Sequence, residues 1–262
     1  MAFPYAQYET LATQLTVYYP KGQAELAGQL AREVEQAGKL LGDLLSLSTP
    51  ALEILVVASA DWKDVPLEDD DETEPPITML PYWTDTTATP TLVVPEQMDE
   101  IMGEASPQKR SLLLYHELAH AFLEHDPRPW PADSPLWADE WPLQFAAFWL
   151  FKQIHGPIED ITADLHQQFA ESFEAEADGK TPVTVRGFDW YEDTAPEDYL
   201  EFVLLLENFA TDLLARYNAT ILPRFLARYR YETPLLSDDV TKMLAEVLGE
   251  GGEEWLEELI YF

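Results

Sequence analysis

The feature that most constrains this chain is His116-Glu-Leu-Ala-His120, an H-E-x-x-H pattern inside an apolar stretch. On an α-helix, residues four apart lie on one face, one turn above the other, so both imidazoles can reach a single ion. Glu117 follows the first histidine and lies close enough to hold a water molecule at that ion. Two neutral imidazoles suit Zn²⁺, and a carboxylate beside such a water is the general base of a metallohydrolase. The pattern therefore predicts zinc on His116 and His120, with Glu117 as a catalytic residue.

The segment around this pattern has the signals of a buried helix over residues 106–125. Ser106 is a good N-cap, Pro107 suits the first helical position, and Asp126-Pro127 ends the helix. Apolar residues cover most of its sides: Leu112, Leu113, Tyr115, Leu118, Ala119 and Phe122. Two histidines and a glutamate in such a helix are costly unless something binds them. The alternative is a pair of core histidines that are satisfied by hydrogen bonds alone.

Composition limits the class of protein and the choice of ligands. The 262 residues are 47% hydrophobic with eight tryptophans, which is typical of a globular chain. There is no cysteine, so disulfides and thiolate metal sites are excluded, and His, Asp and Glu remain as ligands. No apolar run approaches the ~20 residues of a membrane helix. The first residues lack a basic region followed by an apolar one, so we expect a cytoplasmic protein.

The net charge of −34 limits the partners. Binding to phosphates needs Lys and Arg, so nucleic acid is not expected as a ligand. A large negative charge favours solubility and basic partners. We therefore expect a peptide or protein as substrate, with neither nucleic acid nor membrane as partner, while the oligomeric state stays open.

Periodicity along the chain predicts an α+β fold with a small mixed sheet followed by a mostly helical half. The predicted elements are strand 13–19, helix 24–45, central strand 52–58, edge strand 77–83, strand 89–95, the motif helix 106–125, helices 136–150, 158–176, 196–217, 218–230 and 236–259, and a hairpin or loop at 181–191. The predicted domains are residues 1–130, which contain the motif helix, and residues 131–262.

A catalytic zinc site takes three protein ligands and keeps one position open. Four downstream carboxylates are candidates for the third ligand: Asp126, Asp133, Asp139 and Glu140. Asp126 stands where one class of zinc peptidase has its last ligand, but that class needs a glycine at the position of Leu123. Asp139 and Glu140 open the next predicted helix, and the connecting loop is long enough to bring that helix back antiparallel to the first. Spacing alone leaves the choice open.

The motif together with Trp137-Ala-Asp-Glu140 resembles the gluzincin metallopeptidases, the thermolysin-like and aminopeptidase-like clan. These proteins show H-E-x-x-H and, further along, W-x-N-E-G-x-A. The resemblance implies a zincin-like fold and Glu140 as the third zinc ligand, supplied by the helical C-terminal subdomain. It also implies that Asp139, in place of Asn, could orient a histidine. The departures are Trp141 for Gly and Leu143 for Ala.

A second resemblance leads to the same ligand. Glu140 with Phe145-Ala-Ala147 is similar to the E-x-x-A-N-x-F-A element of IrrE/ImmA-type peptidases. The order of elements over residues 13–125 also resembles the N-terminal subdomain of zincins. The resemblance covers about residues 13–155, and the remainder resembles the family only in being helical.

The family often adds a Tyr or His that stabilises the oxyanion. The resemblance implies Tyr199 for this catalytic role, because it begins a helix about sixty residues after Glu140, although the accompanying Lys-Gly of the family is missing. Tyr191 and His166 are rivals, and core packing or surface exposure is the ordinary role for each.

Three functional hypotheses follow. The first is a zinc-dependent metallopeptidase in which Glu117 activates water. The second is a catalytically inactive zincin-fold binding protein, which the substitution at Trp141 suggests. The weak match at the position of the oxyanion-stabilising residue is a second reason for this hypothesis. The third is an acidic decoy for a basic partner, which the net charge of −34 suggests.

Overall fold

A computed structural model describes residues 3–67, 78–100, 104–158, 161, 163, 183–189, 196–230 and 234–262. The fold is α+β, with one five-stranded sheet and mostly helical content, as the sequence predicts. Its strands are β1 Glu9–Ala12, β2 Thr16–Tyr19, β3 Glu53–Val57, β4 Tyr82–Thr84 and β5 Thr91–Pro95. Its helices are α1 Ala24–Leu45, α2 Pro107–His125, α3 Leu136–Ile154, α4 Pro196–Arg216, α5 Ile221–Tyr229, α6 Ser237–Leu248 and α7 Gly252–Glu258. Most of predicted helix 158–176, parts of the 181–191 segment, and both Tyr191 and His166 lie outside the described residues.

The sheet is mixed, with strand order β1-β2-β3-β5-β4. β2, β3 and β5 run parallel, and β1 and β4 pair antiparallel at the two edges. After their first residues, Glu53 and Thr91, β3 and β5 are apolar, as is typical of strands that are covered on both faces, and Ile54 and Val93 are completely buried. The predicted central strand is confirmed as β3. The predicted edge strand 77–83 is confirmed only at its end, because β4 begins after Pro81, which has no N–H to give to a ladder, and residues 78–81 are not strand.

The first strand of the prediction is wrong in one respect. Residues 13–19 were expected to form one strand, whereas the structure has a hairpin of β1 and β2 that turns at residues 13–15. Thr13 closes the turn, because its backbone N–H donates to Leu15 O at 2.9 Å and its Oγ1 accepts from Leu15 N at 3.3 Å. Such local bonds from a threonine hydroxyl compete with a continuous ladder.

Helix α1 has the bounds that its apolar periodicity predicts, and it packs closely against the motif helix α2. Its buried face recurs every three or four residues, from Ala27 to Leu45. At Gly42 a Cβ atom would lie 2.9 Å from Leu47 O and 3.6 Å from the ring of Phe122 in α2. The close approach of Leu47 O leaves room only for glycine at this position, whereas the ring of Phe122 lies at an ordinary van der Waals distance, so α1 packs directly against α2.

The C-terminal helices differ from the prediction at one break. A single helix was expected over residues 236–259, but α6 and α7 are separate. Gly249 and Gly251 between them adopt φ values of 92° and 77°, a left-handed backbone that interrupts a helix and that glycine adopts without strain. No helix within the described ranges is long and apolar enough to cross a bilayer.

The chain groups into two compact units. The first comprises Met1–His125 and Leu150–Ile161, and contains the sheet, α1 and α2. The second comprises Asp126–Trp149 and Thr162–Phe262, and contains α4 to α7. The predicted domain division between residues 130 and 131 stays a prediction.

Candidate metal centre

Helix α2 carries the three residues of the motif. Ser106 Oγ accepts a hydrogen bond from Lys109 N at 3.1 Å, so the predicted N-cap is present. The apolar residues around the motif anchor the helix, since Leu114, Tyr115, Leu118 and Phe122 have no exposed surface. His116, Glu117 and His120 are half-buried and therefore share the more open part of the helix surface.

The two histidines face each other one turn apart, as their spacing predicts. Their ring centroids are 5.0 Å apart with an interplanar angle of 64°. Burial, with a smaller contribution from the charge of His116, lowers the pKa of His120 to about 3. The ring of His120 is therefore neutral at physiological pH, which is the form that ligates a metal.

Glu117 is held by the edge of the sheet. The backbone N–H of Trp83 in β4 donates to Glu117 Oε2 at 2.9 Å. A backbone donor on a short, paired strand has little freedom, so this bond orients the carboxylate. This contact could not be predicted from the sequence, because the two residues are 34 positions apart and the donor is a main-chain atom.

Helix α3 carries Glu140 near its start, and a separate network anchors that first turn. Asp139 accepts hydrogen bonds from Ser134 Oγ at 2.5 Å and from Tyr229 OH at 2.6 Å. Burial, together with the negative charge of Asp139, raises the pKa of Glu140 to about 7. An ionised Glu140 is therefore costly in this position unless a cation lies nearby.

The histidines and Glu140 form a group that could hold a metal ion. One ligand atom from each of His116, His120 and Glu140 lies within 4.8 Å of the other two. Two imidazole nitrogens and one carboxylate oxygen form a donor set that zinc takes in catalytic sites. Of the four carboxylates that the sequence left open as third ligand, Glu140 is the one that joins this group.

Asp126, the nearest rival in sequence, has a different set of contacts. It accepts hydrogen bonds from Arg128 N and Arg128 Nε, each at 3.0 Å, and is buried. Burial on its own raises the pKa of Asp126. The hydrogen bonds from Arg128 and the charges of Arg128 and Arg230 have the opposite and larger effect, so the pKa of Asp126 is lowered overall. Arg230 in turn donates to Arg128 O at 2.7 Å and lies 3.9 Å from the Trp130 ring centroid. The cluster fixes the loop that follows α2.

Tyr199 lies in the first turns of α4 and is 42% exposed. Its ring lies 6.3 Å from Phe188 and 6.5 Å from Phe202, between centroids. The oxyanion role implied for Tyr199 stays a prediction.

A cleft of about 360 Å³ opens beside the motif within the first unit. It is lined by Trp83, Asp85, Glu117, His120 and Glu124. Sequence reasoning missed Trp83, Asp85 and Glu124 as candidates. For Glu124 a signal was present, because it lies four residues after His120 and seven after Glu117, on the same helix face.

Comparison with solved structures supports the fold. The chain is similar to the structure of native yeast LTA4 hydrolase, with a TM-score of 0.57 and 13% identity. The match covers 97% of this chain and 38% of the other, so this chain spans well under half of that protein's length. At this identity the likeness is one of fold. No family model matches the sequence, and no curated protein does.

Proposed function

We propose that this chain is a zinc-dependent metallopeptidase whose ion is held by His116, His120 and Glu140. The observation that carries the proposal is the approach of the three ligand atoms to within 4.8 Å of one another, with Glu117 next to one of them in the helix. A site that only stabilised the fold would not need Glu117. The similarity in fold to a protein named as a hydrolase is consistent with this proposal.

The residues fit zinc rather than a hard cation. Imidazole nitrogen suits zinc, whereas magnesium and calcium prefer oxygen ligands throughout. His120 is neutral because its pKa is lowered, and a cation would offset the cost of an ionised Glu140, whose pKa is raised.

Glu117 is the base in the proposed reaction. A bound zinc ion supplies Lewis acidity, which polarises the scissile carbonyl and makes water a stronger acid. Glu117 takes the proton from the attacking water and passes it to the leaving amine. The N–H of Trp83 holds Oε2 of the carboxylate, so the side chain is oriented before substrate arrives.

The edge of the sheet supports a peptide as the substrate. Among the residues that the structure describes, β4 pairs only with β5, and Trp83 gives its N–H to Glu117. Glu117 therefore lies alongside the open edge of β4. An extended peptide that paired with this edge would run past the proposed base.

The inactive-scaffold alternative has two grounds, the substitution at Trp141 and the weak match for an oxyanion-stabilising residue. The first has another explanation, because Trp141 has a role in packing. It is completely buried, and its ring lies 4.8 Å from Phe225, between centroids. A bulky residue at this position therefore fills the core of the second unit. The net charge of −34 still supports the decoy alternative, but that alternative gives no role to the His-His-Glu group.

Metal removal tests the function. We expect zinc-loaded protein to cleave members of a mixed peptide library, as detected by mass spectrometry. Cleavage should stop after chelation and return when one equivalent of Zn²⁺ is added. Cleavage by the His120→Ala protein should not return when Zn²⁺ is added in the same way. Full zinc occupancy with no cleavage across the library would contradict the proposal.

A further inference from the structure

We propose that Tyr229 and Ser134 are positioning residues for the metal centre. Through hydrogen bonds to Asp139 they fix the first turn of α3, and so hold Glu140, the next residue, in place as a ligand. The inference rests on the ligand set of the proposed function, and it adds two residues that are not themselves ligands. All four residues belong to the second compact unit.

The first turn of α3 has few backbone hydrogen bonds of its own. Glu140 is the fifth residue of the helix, and the first four N–H groups of an α-helix have no partner within it. Pro142 lies inside the helix and has no N–H, so the carbonyl of Ala138 cannot receive the usual bond from residue 142. The direction in which Glu140 points therefore depends on contacts from other parts of the chain.

Asp139 makes two such contacts. Its Oδ1 accepts from Tyr229 OH at 2.6 Å, and its Oδ2 accepts from Ser134 Oγ at 2.5 Å. Both distances fall in the range of about 2.5–2.7 Å that is typical of strong bonds from a hydroxyl to a carboxylate. Ser134 lies in the loop before α3, and Tyr229 is the last residue of α5. The carboxylate is therefore tied to two separate segments, and it cannot rotate without breaking a bond.

Tyr229 is held by packing as well as by this bond. It is completely buried, and its ring stacks on Phe225 with centroids 5.0 Å apart and an interplanar angle of 20°. The ring of Trp130 meets it at 77°, with centroids 6.1 Å apart. Packing therefore places the hydroxyl, and the hydroxyl places Asp139. A buried hydroxyl needs a partner in any case, but a partner next to Glu140 gives the bond an effect on the metal site.

Glu140 follows Asp139 in the same helical turn, so a rotation of that turn moves both side chains. Zinc takes carboxylate oxygens at about 2.0–2.2 Å, and its sites tolerate deviations of only about 0.2 Å. Removing a group that orients a ligand typically weakens metal binding about 10–100-fold. Loss of the bonds to Asp139 should therefore appear as a loss of zinc affinity.

Zinc binding in the absence of substrate tests the inference. The Kd for Zn²⁺ is measured by competition with a chelator of known affinity. Tyr229→Phe removes one hydroxyl and keeps the ring, and we expect it to raise the Kd about 10-fold or more. Ser134→Ala removes the other donor, from a different segment, and should raise the Kd about threefold or more.

Tyr261→Phe is the matched control. Tyr261 OH donates to Asp212, so this variant also breaks a bond between a tyrosine and an aspartate in the second unit, and neither residue belongs to the His-His-Glu group. Its Kd should stay within about twofold of wild type. Co²⁺ in place of zinc gives a second readout, because its visible absorption depends on the number and geometry of its ligands. The spectrum should change in Tyr229→Phe and not in Tyr261→Phe.

Two substitutions of Asp139 separate position from charge. Asp139→Asn keeps an oxygen that can accept from Tyr229 and an amide that can donate to Ser134, whereas Asp139→Ala removes both bonds. We expect Asp139→Ala to weaken zinc binding about 10-fold or more, and Asp139→Asn to recover most of that loss. Equal losses in these two variants, with wild-type affinity in Tyr229→Phe, would assign the effect to charge and overturn the inference. An unchanged Kd and Co²⁺ spectrum in Tyr229→Phe would also overturn it.

Glu140→Gln separates this inference from the proposed function. If this variant binds zinc as tightly as wild type, the ligand set is wrong and the positioning role is wrong with it. If Glu140→Gln weakens binding and Tyr229→Phe does not, only the positioning role is contradicted. If both weaken binding and the wild-type protein cleaves no peptide, the positioning role is supported and only the peptidase is contradicted.

Discussion

Replacing Glu117 by Gln is expected to lower kcat/KM by a factor on the order of 10²–10⁴ while leaving zinc bound. An amide cannot take the proton from water, so the contribution of general-base catalysis is lost. The amide oxygen can still accept the hydrogen bond from Trp83 N, so the local structure should be kept. The measurement is steady-state hydrolysis of a peptide found in the library, with zinc content determined on the same samples.

The control for this experiment is Asp43→Asn, which removes one carboxylate from the exposed surface of α1. It should leave kcat/KM within about twofold of wild type, because surface charges act weakly at a distance. Wild-type activity in Glu117→Gln would contradict the mechanism. Loss of zinc along with activity would instead assign Glu117 a role in the metal site.

Trp141→Ala is expected to destabilise the protein by about 3–5 kcal/mol. The residue has no exposed surface, and its ring packs against Phe145, Phe209 and Phe225. Truncation would remove this buried area and leave a cavity in the second unit. The measurement is urea unfolding followed by circular dichroism on chelated protein, since bound metal would add its own stabilisation.

Trp141→Phe is the matched variant. It keeps an aromatic ring against Phe225 and removes the indole Nε1, which is buried without a hydrogen-bond partner among the described residues. We expect it to cost less than half as much as Trp141→Ala, because removing an unpaired buried donor offsets part of the lost packing. A Trp141→Ala variant within about 1 kcal/mol of wild type would show that the ring is not a core element.

The elements with strong periodicity could be predicted from the sequence. α1 has the expected bounds because its apolar residues recur at helical spacing without interruption from Ala24 to Leu45. β3 and β5 could be predicted because short apolar runs between breaks are typical of strands covered on both faces. Ser106 and Pro107 marked the start of the motif helix within one residue.

Local backbone chemistry explains the elements that were predicted wrongly. The turn after β1 depends on a hydrogen bond between Thr13 and Leu15, which an alternating pattern does not reveal. The break between α6 and α7 had a visible signal in Gly249 and Gly251, but the apolar periodicity continues across it. Periodicity records which side faces the core and does not record where the backbone turns.

The third ligand could be chosen from the sequence only by resemblance to a family. Asp126, Asp139 and Glu140 are chemically equivalent as oxygen donors, and their spacing from His120 does not separate them. Their environments differ through partners distant in the chain: Asp139 accepts from Tyr229, which is 90 residues away. Glu140 is the one that lies with the two histidines.

The central claim is that His116, His120 and Glu140 hold one zinc ion, and a crystal of the zinc-loaded protein tests it most directly. An anomalous difference map at the zinc absorption edge locates the ion independently of any assumption about its ligands. The account predicts one strong peak about 2.0–2.2 Å from an imidazole nitrogen of each histidine and from a carboxylate oxygen of Glu140. A peak elsewhere, or a peak on the histidines with Glu140 out of bonding range, would contradict it.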